Sequence, residues 1–247
     1  MIVGIIPARY ASTRFPGKPL IQVLGKSMIQ RVYEQAIQSD ALDEVVIATD
    51  DQRIYQHAQS FGASVVMTQA NHPSGTDRCR EAVAQLAQSY QYIINIQGDE
   101  PFIDPSQIDT LAETLQDHRT QLATLVIPVH SHEVLFDPGE AKVVMNANQE
   151  ALYFSRMVIP YLKGIPQTEW HLHHQYYRHV GMYAYRRDVL DKISQLPIAV
   201  LEQAESLEQL RWLAHGYSIK CAITHFDSHC IDTPEDVDKV LRLMQQG

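Results

Sequence analysis

The chain has 247 residues, enough for one large α/β domain or two small ones. Its formal net charge of −9 argues against general nucleic-acid binding, because such proteins need a basic surface to neutralise phosphates. Three widely separated cysteines without a CxxC motif argue against a disulfide framework or a zinc ribbon. With no apolar run as long as a membrane span and no secretory signal, the sequence predicts a soluble cytoplasmic protein.

The first predicted strand, Ile2–Ile6, runs into a basic loop punctuated by proline and glycine. Arg9, Arg14 and Lys18 lie in this loop, and the first acidic residue of the chain is Glu34. Ligands of open α/β sheets bind at the carboxyl ends of the strands, and arginine, lysine and backbone N–H groups bind phosphate oxygens. The pattern favours a site for a polyanionic small molecule over the alternative of a solvated surface loop.

The N-terminal sequence lacks the two commonest nucleotide-binding motifs. The segment GKS at residues 25–27 resembles the end of a Walker loop, but Leu20 stands where that loop needs a glycine. No GxGxxG follows the first strand either. Ser27 and Gln30 instead predict a capping box at the start of a helix. A phosphate site in this region must therefore use side chains and loop amides of another design.

Apolar stretches alternate with amphipathic helices as far as residue 129. The predicted strands cover residues 44–51, 63–67, 92–96 and 122–129. The predicted helices cover residues 54–61, 77–87 and 105–115. Continuous apolar strands separated by helices are typical of a Rossmann-like, doubly wound α/β fold with a mostly parallel sheet. The polar residues after its strands, at Arg9, Asp50–Asp51 and Gln97–Glu100, should then line one edge.

The second half of the chain has a different pattern. Its predicted strands are 142–146, 151–154, 180–185 and 218–224, the first two of them forming a hairpin. Its predicted helices are 187–193, 206–215 and a last one that begins at Thr233. Residues 159–175 are rich in aromatics, proline and histidine and predict an irregular segment. We expect a single domain over residues 1–247, with a smaller hairpin-containing lobe inserted at about residues 130–185.

Two aspartates stand where a divalent cation could bind. Asp99 comes directly after a buried strand, and Asp232 lies between the last strand and the last helix. Mg²⁺ typically takes one or two carboxylates together with substrate phosphates. The alternatives are a turn aspartate at position 99 and a helix-capping residue at position 232.

Two further patterns invite a functional interpretation. The loop HPSGTDR at residues 72–78 enters a helix and could bind an anion or a base edge, or could simply cap that helix. Four histidines, His171, His173, His174 and His179, follow no recognised zinc spacing, so a zinc site is disfavoured. With no GxSxG and no cysteine in a known nucleophile context, covalent catalysis has no visible candidate.

Taken together, the motifs resemble those of a known enzyme family. The segments IPARYASTRFPGKPL, HPSGTDR, NIQGDEPFID, ALYFSRMVIPY, RHVGMYAYR, LEQAESLEQLR and IDTPEDV occur in the order seen in 3-deoxy-manno-octulosonate (Kdo) cytidylyltransferases. The resemblance covers essentially the whole chain. CMP-sialic acid synthetases are similar mainly in the first loop and the fold.

The resemblance implies CMP transfer from CTP to the anomeric hydroxyl of Kdo, with release of pyrophosphate, for lipopolysaccharide synthesis. It implies that the triphosphate is held by Arg9, Ser12, Arg14 and Lys18. The nucleoside would meet the main chain at Pro7 and Ala8 and the loop residues Ser74, Gly75, Thr76 and Arg78. Mg²⁺ would bind Asp99 and Asp232, which with Arg9 and Lys18 form the catalytic set. The sugar acid would be bound by Gln97, Arg156, His179, Tyr183 and Glu208.

Within that set, Arg156 would pair with the sugar carboxylate. The acids Glu205 and Glu208 could accept sugar hydroxyls, a solvated helix face being the alternative for Glu205. The hairpin half of the chain would form the interface of a homodimer.

One departure from the family pattern leaves the sugar open. Residues 225–230 replace an expected Gly/Pro-rich loop before Asp232, so Kdo with an 8-amino group is an alternative substrate. Two competing functions stay open at this point. One is a pyrophosphorylase that acts on sialic acid or a sugar phosphate, and the second is a nucleotide-binding regulator without turnover.

Overall fold

The chain folds as two units in a computed structural model that describes residues 1–11, 15–227, 230, 231, 233, 236 and 237. The first unit contains Met1–Ala112 and the described residues from 230 onward, and the second contains Glu113–Asp227. Residues 130–185, the segment expected to form a smaller lobe, lie within the range of the second unit. In the described part of the chain, no helix is long and apolar enough to cross a membrane.

The first unit alternates strands and helices. Its strands are β1 (Ile2–Ala8), β2 (Gln22–Val23), β3 (Lys26–Ser27), β4 (Glu44–Thr49), β5 (Ser64–Met67) and β6 (Tyr92–Asn95). Its helices are α1 (Met28–Ala36), α2 (Gln52–Ser60), α3 (Gly75–Gln85) and α4 (Pro105–Glu113). A short 3-10 turn, Lys18–Leu20, follows the basic loop.

Four strands of the first unit form a parallel sheet in the order β6-β1-β4-β5. Ile5, in the middle of β1, lies opposite Val46 on one side and Asn95 on the other. Ile5 and its neighbour Ile6 are both fully buried. Because successive residues of a strand point to opposite faces, burial of both means that the sheet is covered on both faces. The predicted Rossmann-like, doubly wound α/β fold is confirmed.

The register also puts the polar strand ends together. In a parallel sheet the carboxyl ends of neighbouring strands meet at one edge, and here β1, β4 and β6 end at Ala8, Thr49 and Asn95. The residues that follow them, from Arg9, Asp50 and Ile96 onward, therefore begin at the same edge, as predicted.

Helix α1 begins as the sequence predicts, although its capping box is only half formed. Ser27 Oγ accepts a hydrogen bond from the Gln30 backbone N–H at 3.2 Å. The Gln30 side chain donates to Glu34 at 3.0 Å instead of returning to the Ser27 backbone. His57 Nε2 lies 2.7 Å from the Ser27 hydroxyl and takes part in fixing this corner.

The second unit contains a mixed sheet. Its strands are β7 (Leu122–Val129), β8 (Lys142–Met145), β9 (Ala151–Ser155), β10 (Tyr176–Arg186) and β11 (Ile219–Ile223). Its helices are α5 (His132–Phe136), α6 (Trp170–His173), α7 (Arg187–Ile193), α8 (Val200–Glu205) and α9 (Gln209–Ala214). The strand order is β11-β7-β10-β8-β9; β11 pairs with β7 in parallel, and the other pairs are antiparallel. The predicted hairpin is β8–β9.

Three predictions about the second half need correction. The segment 159–175 is not wholly irregular, because it contains the 3-10 turn Gln167–Glu169 and helix α6. The strand predicted at 180–185 begins four residues earlier, at Tyr176. The helix predicted at 206–215 starts at Gln209, and α8 precedes it across Ser206, which adopts a left-handed conformation with φ of 54°. Of the last predicted helix, only Thr233, Asp236 and Val237 are described.

Candidate active site

The basic loop after β1 places Lys18 against Asp99. Gly17 turns the chain with a φ of 73° and donates its N–H to the Tyr10 carbonyl at 3.0 Å, and the 3-10 turn then begins at Lys18. Lys18 Nζ lies 2.7 Å from Asp99 Oδ2, with side-chain exposures of 12% and 29%. Arg9 is exposed at the start of the loop. Two of the predicted catalytic residues are thus in direct contact.

The Asp99 loop is held close to the end of β1. A Cβ atom at Gly98 would lie 2.8 Å from the Pro7 carbonyl oxygen, so only glycine fits there without a shift of backbone. The carbonyl of Asp99 accepts the backbone N–H of Ile231 at 3.0 Å. Ile231 in turn belongs to a buried apolar cluster with Val23. The segment that leads to Asp232 is therefore anchored at Asp99.

Three predicted site residues of this unit lie outside the described residues: Ser12, Arg14 and Asp232. Gln97 lies next to Gly98 in the Asp99 loop and is partly buried.

The start of α3 supplies the second predicted nucleotide-binding loop. Ser74 Oγ accepts the Asp77 N–H at 3.2 Å and donates to the Asp77 carboxylate at 2.7 Å, so Ser74 is the helix N-cap. Thr76 is 2% exposed. A Cβ atom at Gly75 would lie 3.5 Å from the Pro7 ring, which places this loop beside the end of β1.

Arg78 is buried rather than displayed. Its side chain is 4% exposed and lies 3.2 Å from the Asp50 carboxylate, which follows β4. It also donates to the Thr68 hydroxyl and to the Gln69 carbonyl, which follow β5. The guanidinium therefore ties together the ends of two strands, and its predicted contact with a nucleoside stays a prediction.

The Asp99 carboxylate is the kind of oxygen ligand that binds Mg²⁺ when substrate phosphates complete the coordination of the metal. The carboxylate is partly exposed and follows a buried strand. In the described part of the chain, no group of three or more His, Cys, Asp or Glu side chains could hold a metal by itself. Mg²⁺ seldom uses such a complete protein cage and is usually bound through one or two carboxylates plus phosphate oxygens.

In the second unit, Arg156 is held by backbone carbonyls. Its Nε donates to the Glu205 carbonyl at 2.9 Å, and its Nη1 donates to Pro138 and Gly139 at 3.0 and 3.2 Å. The Glu205 carboxylate accepts the Arg156 backbone N–H at 2.9 Å and the Ser155 hydroxyl at 2.6 Å. Each carboxylate oxygen of Glu205 therefore accepts one hydrogen bond from the end of β9 and anchors it there, and its predicted contact with sugar hydroxyls stays a prediction.

His179 lies in a distorted part of β10. The register against β7 shifts between Val180 and Tyr183, and the Thr124 hydroxyl sits within this irregularity. The hydroxyl has one hydrogen, which it donates to the Met182 carbonyl at 2.8 Å, so His179 Nε2 donates to Thr124 Oγ1 at 3.0 Å. His179 Nδ1 then remains as an acceptor. Burial, followed by the nearby charge of Arg178, lowers the pKa of His179 to about 3, so the ring is neutral.

Tyr183 joins His179 in an aromatic group. Their ring centroids are 5.2 Å apart, and Tyr183 meets Trp212 of α9 edge-on at 5.0 Å. Burial raises the pKa of Tyr183 well above its usual value, so its hydroxyl stays protonated. Glu208 stands at the N-terminal end of α9, which also carries Trp212. The two elements that carry these predicted sugar-binding residues, β10 and α9, therefore meet at Tyr183 and Trp212.

The remaining three histidines do not join His179. His171 lies beside His132, with ring centroids 6.4 Å apart. His173 is 3.5 Å from Glu169, and His174 packs edge-on against Tyr176. The side chains of the four histidines therefore contact different neighbours.

Comparison with known proteins identifies the family. The cytidylyltransferase family model matches residues 3–220. A 3-deoxy-manno-octulosonate cytidylyltransferase of Parabacteroides distasonis is 56% identical, over 98% of this chain and 97% of its own. The chain belongs to the 3-deoxy-manno-octulosonate cytidylyltransferase family. A member from Cytophaga hutchinsonii is 55% identical over 97% of this chain and 96% of its own. The resemblance predicted from the motifs is confirmed.

Solved structures agree with this membership of the Kdo cytidylyltransferase family. The structure of a CMP:2-keto-3-deoxy-manno-octonic acid synthetase complexed with CTP has a TM-score of 0.92 and 45% identity, covering 99% of this chain and 98% of that one. A cytidylyltransferase of Leptospira borgpetersenii has a TM-score of 0.62 at 16% identity, which shows a shared fold alone.

Two residues beside the candidate sugar-binding residues were missed from the sequence. Thr124 orients His179, and Lys142 shares a carbonyl-lined turn with Arg156. The signal that could have found Lys142 is a lysine inside an otherwise apolar strand, since buried lysines are rare and need partners.

Proposed function

We propose that the protein transfers CMP from CTP to the anomeric hydroxyl of Kdo and releases pyrophosphate. The observation that carries this proposal is the Lys18–Asp99 pair at the carboxyl edge of the parallel sheet, in a chain of the Kdo cytidylyltransferase family. A cation for phosphate oxygens and a carboxylate for a metal stand there 2.7 Å apart. Nucleotidyl transfer needs both.

The residues of the first unit would hold the nucleotide. Exposed Arg9 and partly buried Lys18, with Ser12 and Arg14, would neutralise the triphosphate, as arginine and lysine do at phosphoryl-transfer sites. The main chain at Pro7 and Ala8 and the loop Ser74, Gly75, Thr76 and Arg78 would contact the nucleoside. The close approach of Gly75 and Gly98 to Pro7 supports one continuous binding edge.

Asp99 and Asp232 would hold Mg²⁺, and the hydrogen bond from Ile231 N–H to the Asp99 carbonyl supports this pairing. Mg²⁺, when bound, supplies positive charge at the α-phosphate and lowers the pKa of the sugar hydroxyl. Lys18, next to Asp99, would stabilise the charge that develops on the leaving pyrophosphate. An O–P bond forms between the sugar and the α-phosphorus while the α–β bridge breaks. The pyrophosphate keeps the bonding electrons, and the hydroxyl proton passes to water.

The sugar acid would be bound by Arg156, His179, Tyr183, Glu208 and Gln97. Arg156 keeps its Nη2 group without a hydrogen-bond partner among the described residues, and this group can pair with the carboxylate. Neutral His179 offers Nδ1 to a sugar hydroxyl, and the protonated Tyr183 hydroxyl can donate to a sugar oxygen.

A homodimer and a cytoplasmic location complete the proposal. Leu152 in β9 and Met157 and Tyr161 just after it are 59%, 73% and 69% exposed, more apolar surface than a solvated hairpin needs. A second copy of the chain would cover these side chains, and sedimentation at micromolar concentration would then report a dimer. CTP and the sugar acid are the small-molecule partners, with no role for nucleic acid or membrane insertion.

A pyrophosphate-release assay tests the reaction. The purified protein with Mg²⁺ is given CTP, UTP, ATP or GTP, each crossed with Kdo, 8-amino-Kdo, sialic acid or a hexose phosphate. We expect pyrophosphate with CTP and Kdo. Activity only with UTP or with a sugar phosphate would refute the proposal. Binding of CTP without pyrophosphate release from any sugar acid would favour a regulatory protein. A preference for 8-amino-Kdo would change the proposed sugar substrate and would leave the proposed reaction type unchanged.

A further inference from the structure

The turn between α5 and β8, residues 137–140, points four consecutive carbonyl oxygens at two cationic side chains. Lys142 Nζ donates to the carbonyl of Asp137 at 2.8 Å and also to that of Glu140. Arg156 Nη1 donates to the two carbonyls between them, those of Pro138 and Gly139. Lysine therefore takes the outer oxygens of the turn, and arginine takes the inner ones.

Lys142 has no exposed surface, which is unusual for a lysine. A buried ammonium is tolerated only where its protons have acceptors, and the two turn carbonyls supply them. Burial lowers the pKa of Lys142, and the charges of Asp137 and Glu140 oppose that effect. The ammonium group is thus a buried donor that holds two turn carbonyls, and it is not a surface charge.

The sheet register places Lys142 next to the residue that precedes Arg156. Lys142 lies directly opposite Ser155 in the β8–β9 hairpin, and Arg156 follows Ser155. The turn has a second internal tie, because the Asp137 carboxylate accepts the Gly139 N–H at 2.7 Å. The inner carbonyls can hold the Arg156 guanidinium plane only while the turn keeps this shape.

We propose that Lys142 is a positioning residue for Arg156. By holding the outer carbonyls of the 137–140 turn, it keeps the inner carbonyls on Nη1 and leaves Nη2 directed for the substrate carboxylate. This inference rests on the proposed function, in which Arg156 pairs with the carboxylate of the sugar acid. It adds that carboxylate affinity depends on a residue that does not touch the substrate.

The test is Lys142→Met, which keeps the length of the side chain and removes its donors. We expect KM for the sugar acid to rise about tenfold, the effect of weakening one charge-assisted hydrogen bond. KM for CTP should change less than about twofold, since the nucleotide residues lie in the other unit. A merely structural defect would lower the active fraction, and so kcat, without this selective change in KM.

Lys220→Met is the matched control. Lys220 also donates to a turn carbonyl, that of Asn148, at the opposite end of the same hairpin. Its loss should leave KM for the sugar acid unchanged. Asp137→Ala tests the shape of the 137–140 turn at an exposed residue, where a substitution puts folding at little risk. It removes the hydrogen bond from the Gly139 N–H and should raise KM for the sugar acid by a smaller factor than Lys142→Met.

The Arg156→Ala background separates this inference from the proposed function. Wild type must first release pyrophosphate with CTP and a sugar acid, and Arg156→Ala must raise the KM of that acid; failure there refutes the proposed function or the role of Arg156. If both hold, Lys142→Met should add less than about twofold in the Arg156→Ala background, because coupled residues are not additive. An unchanged KM in Lys142→Met and Asp137→Ala, or a full additive effect in the double variant, would overturn the inference.

Discussion

At the scale of single residues, the contact between Lys18 and Asp99 gives both groups a defined starting position. Each is partly shielded, and they neutralise each other at 2.7 Å. A triphosphate with a divalent cation brings negative charge for the lysine and positive charge for the carboxylate. The pair can therefore be replaced by two new pairs without leaving either charge buried and alone, which would be costly.

We expect Asp99→Asn to keep CTP binding and to lose turnover by about 100-fold or more, because an amide does not replace a carboxylate on Mg²⁺. Calorimetric titration measures the binding, and pyrophosphate release measures the turnover. Asp51→Asn is the control, since Asp51 also follows a strand of this sheet but caps α2 and pairs with Arg53. Turnover of Asp99→Asn within about threefold of wild type would remove Asp99 from the catalytic set.

His179 predicts a pH effect on stability. Its pKa is about 3 in the folded protein, below the usual value near 6.5, so the unfolded chain binds a proton that the folded chain excludes. The stability that neutral His179 gives to the folded protein is fully present above about pH 6.5. As the pH falls toward about 3, the free energy of unfolding decreases by at most about 1.4 kcal/mol per pH unit from this residue. Denaturant unfolding between about pH 4.5 and 7 should therefore give a steeper loss for wild type than for His179→Gln. Parallel curves would show that His179 is accessible to protons.

At the scale of elements, the site depends on how closely loops approach the end of β1. Gly98 packs closely against the Pro7 carbonyl, and Gly75 packs against the Pro7 ring. The two glycines differ in how much room they have, with 2.8 Å at Gly98 and 3.5 Å at Gly75 for an added Cβ. This difference makes them a matched pair for substitution.

Gly98→Ala should reduce the free energy of unfolding by about 1–3 kcal/mol, because its Cβ would overlap a backbone oxygen that cannot rotate away. Gly75→Ala should stay within about 0.5 kcal/mol of wild type, since its new contacts are ordinary. Urea unfolding measures both. Equal stability of the two variants would mean that the Asp99 loop can move away from the Pro7 carbonyl without cost.

The sequence predicted elements where the apolar pattern and the buried face coincide. Strands β4 and β7 are continuous apolar runs and were predicted in place. Helix α8 was missed because it buries no residue, so it carries no periodic signal. It is held instead by tertiary contacts, with Glu202 pairing with Arg211 of α9. Such a contact between two helices forms only in the folded chain, so the local sequence of α8 does not predict it.

The same limit applies to the candidate site. Motif order could predict Lys18 and Asp99, because each lies in a loop that follows a strand signal. Arg78 looked equally available in the sequence, yet the structure pairs it with Asp50 across two strands. Lys142 and Glu205 act through partners distant in sequence or through backbone carbonyls, and no local pattern reports such contacts.

At the scale of the whole molecule, charge and similarity favour the same function. The chain carries a net charge of −9, yet its first three basic residues, Arg9, Arg14 and Lys18, all lie in the loop after β1 and precede any acidic residue. Such an arrangement attracts a small polyanion without making the surface a general binder of nucleic acid. Family membership over nearly the full chain then favours CTP as the polyanion.

The most direct test of the central claim is identification of the product by phosphorus NMR. Purified protein, Mg²⁺, CTP and Kdo are combined in one tube, and each substrate is omitted in turn. Our proposal predicts a new phosphodiester resonance, appearing in step with pyrophosphate and only when both substrates are present. Formation of free CMP without a phosphodiester, or a phosphodiester that forms without Kdo, would contradict it.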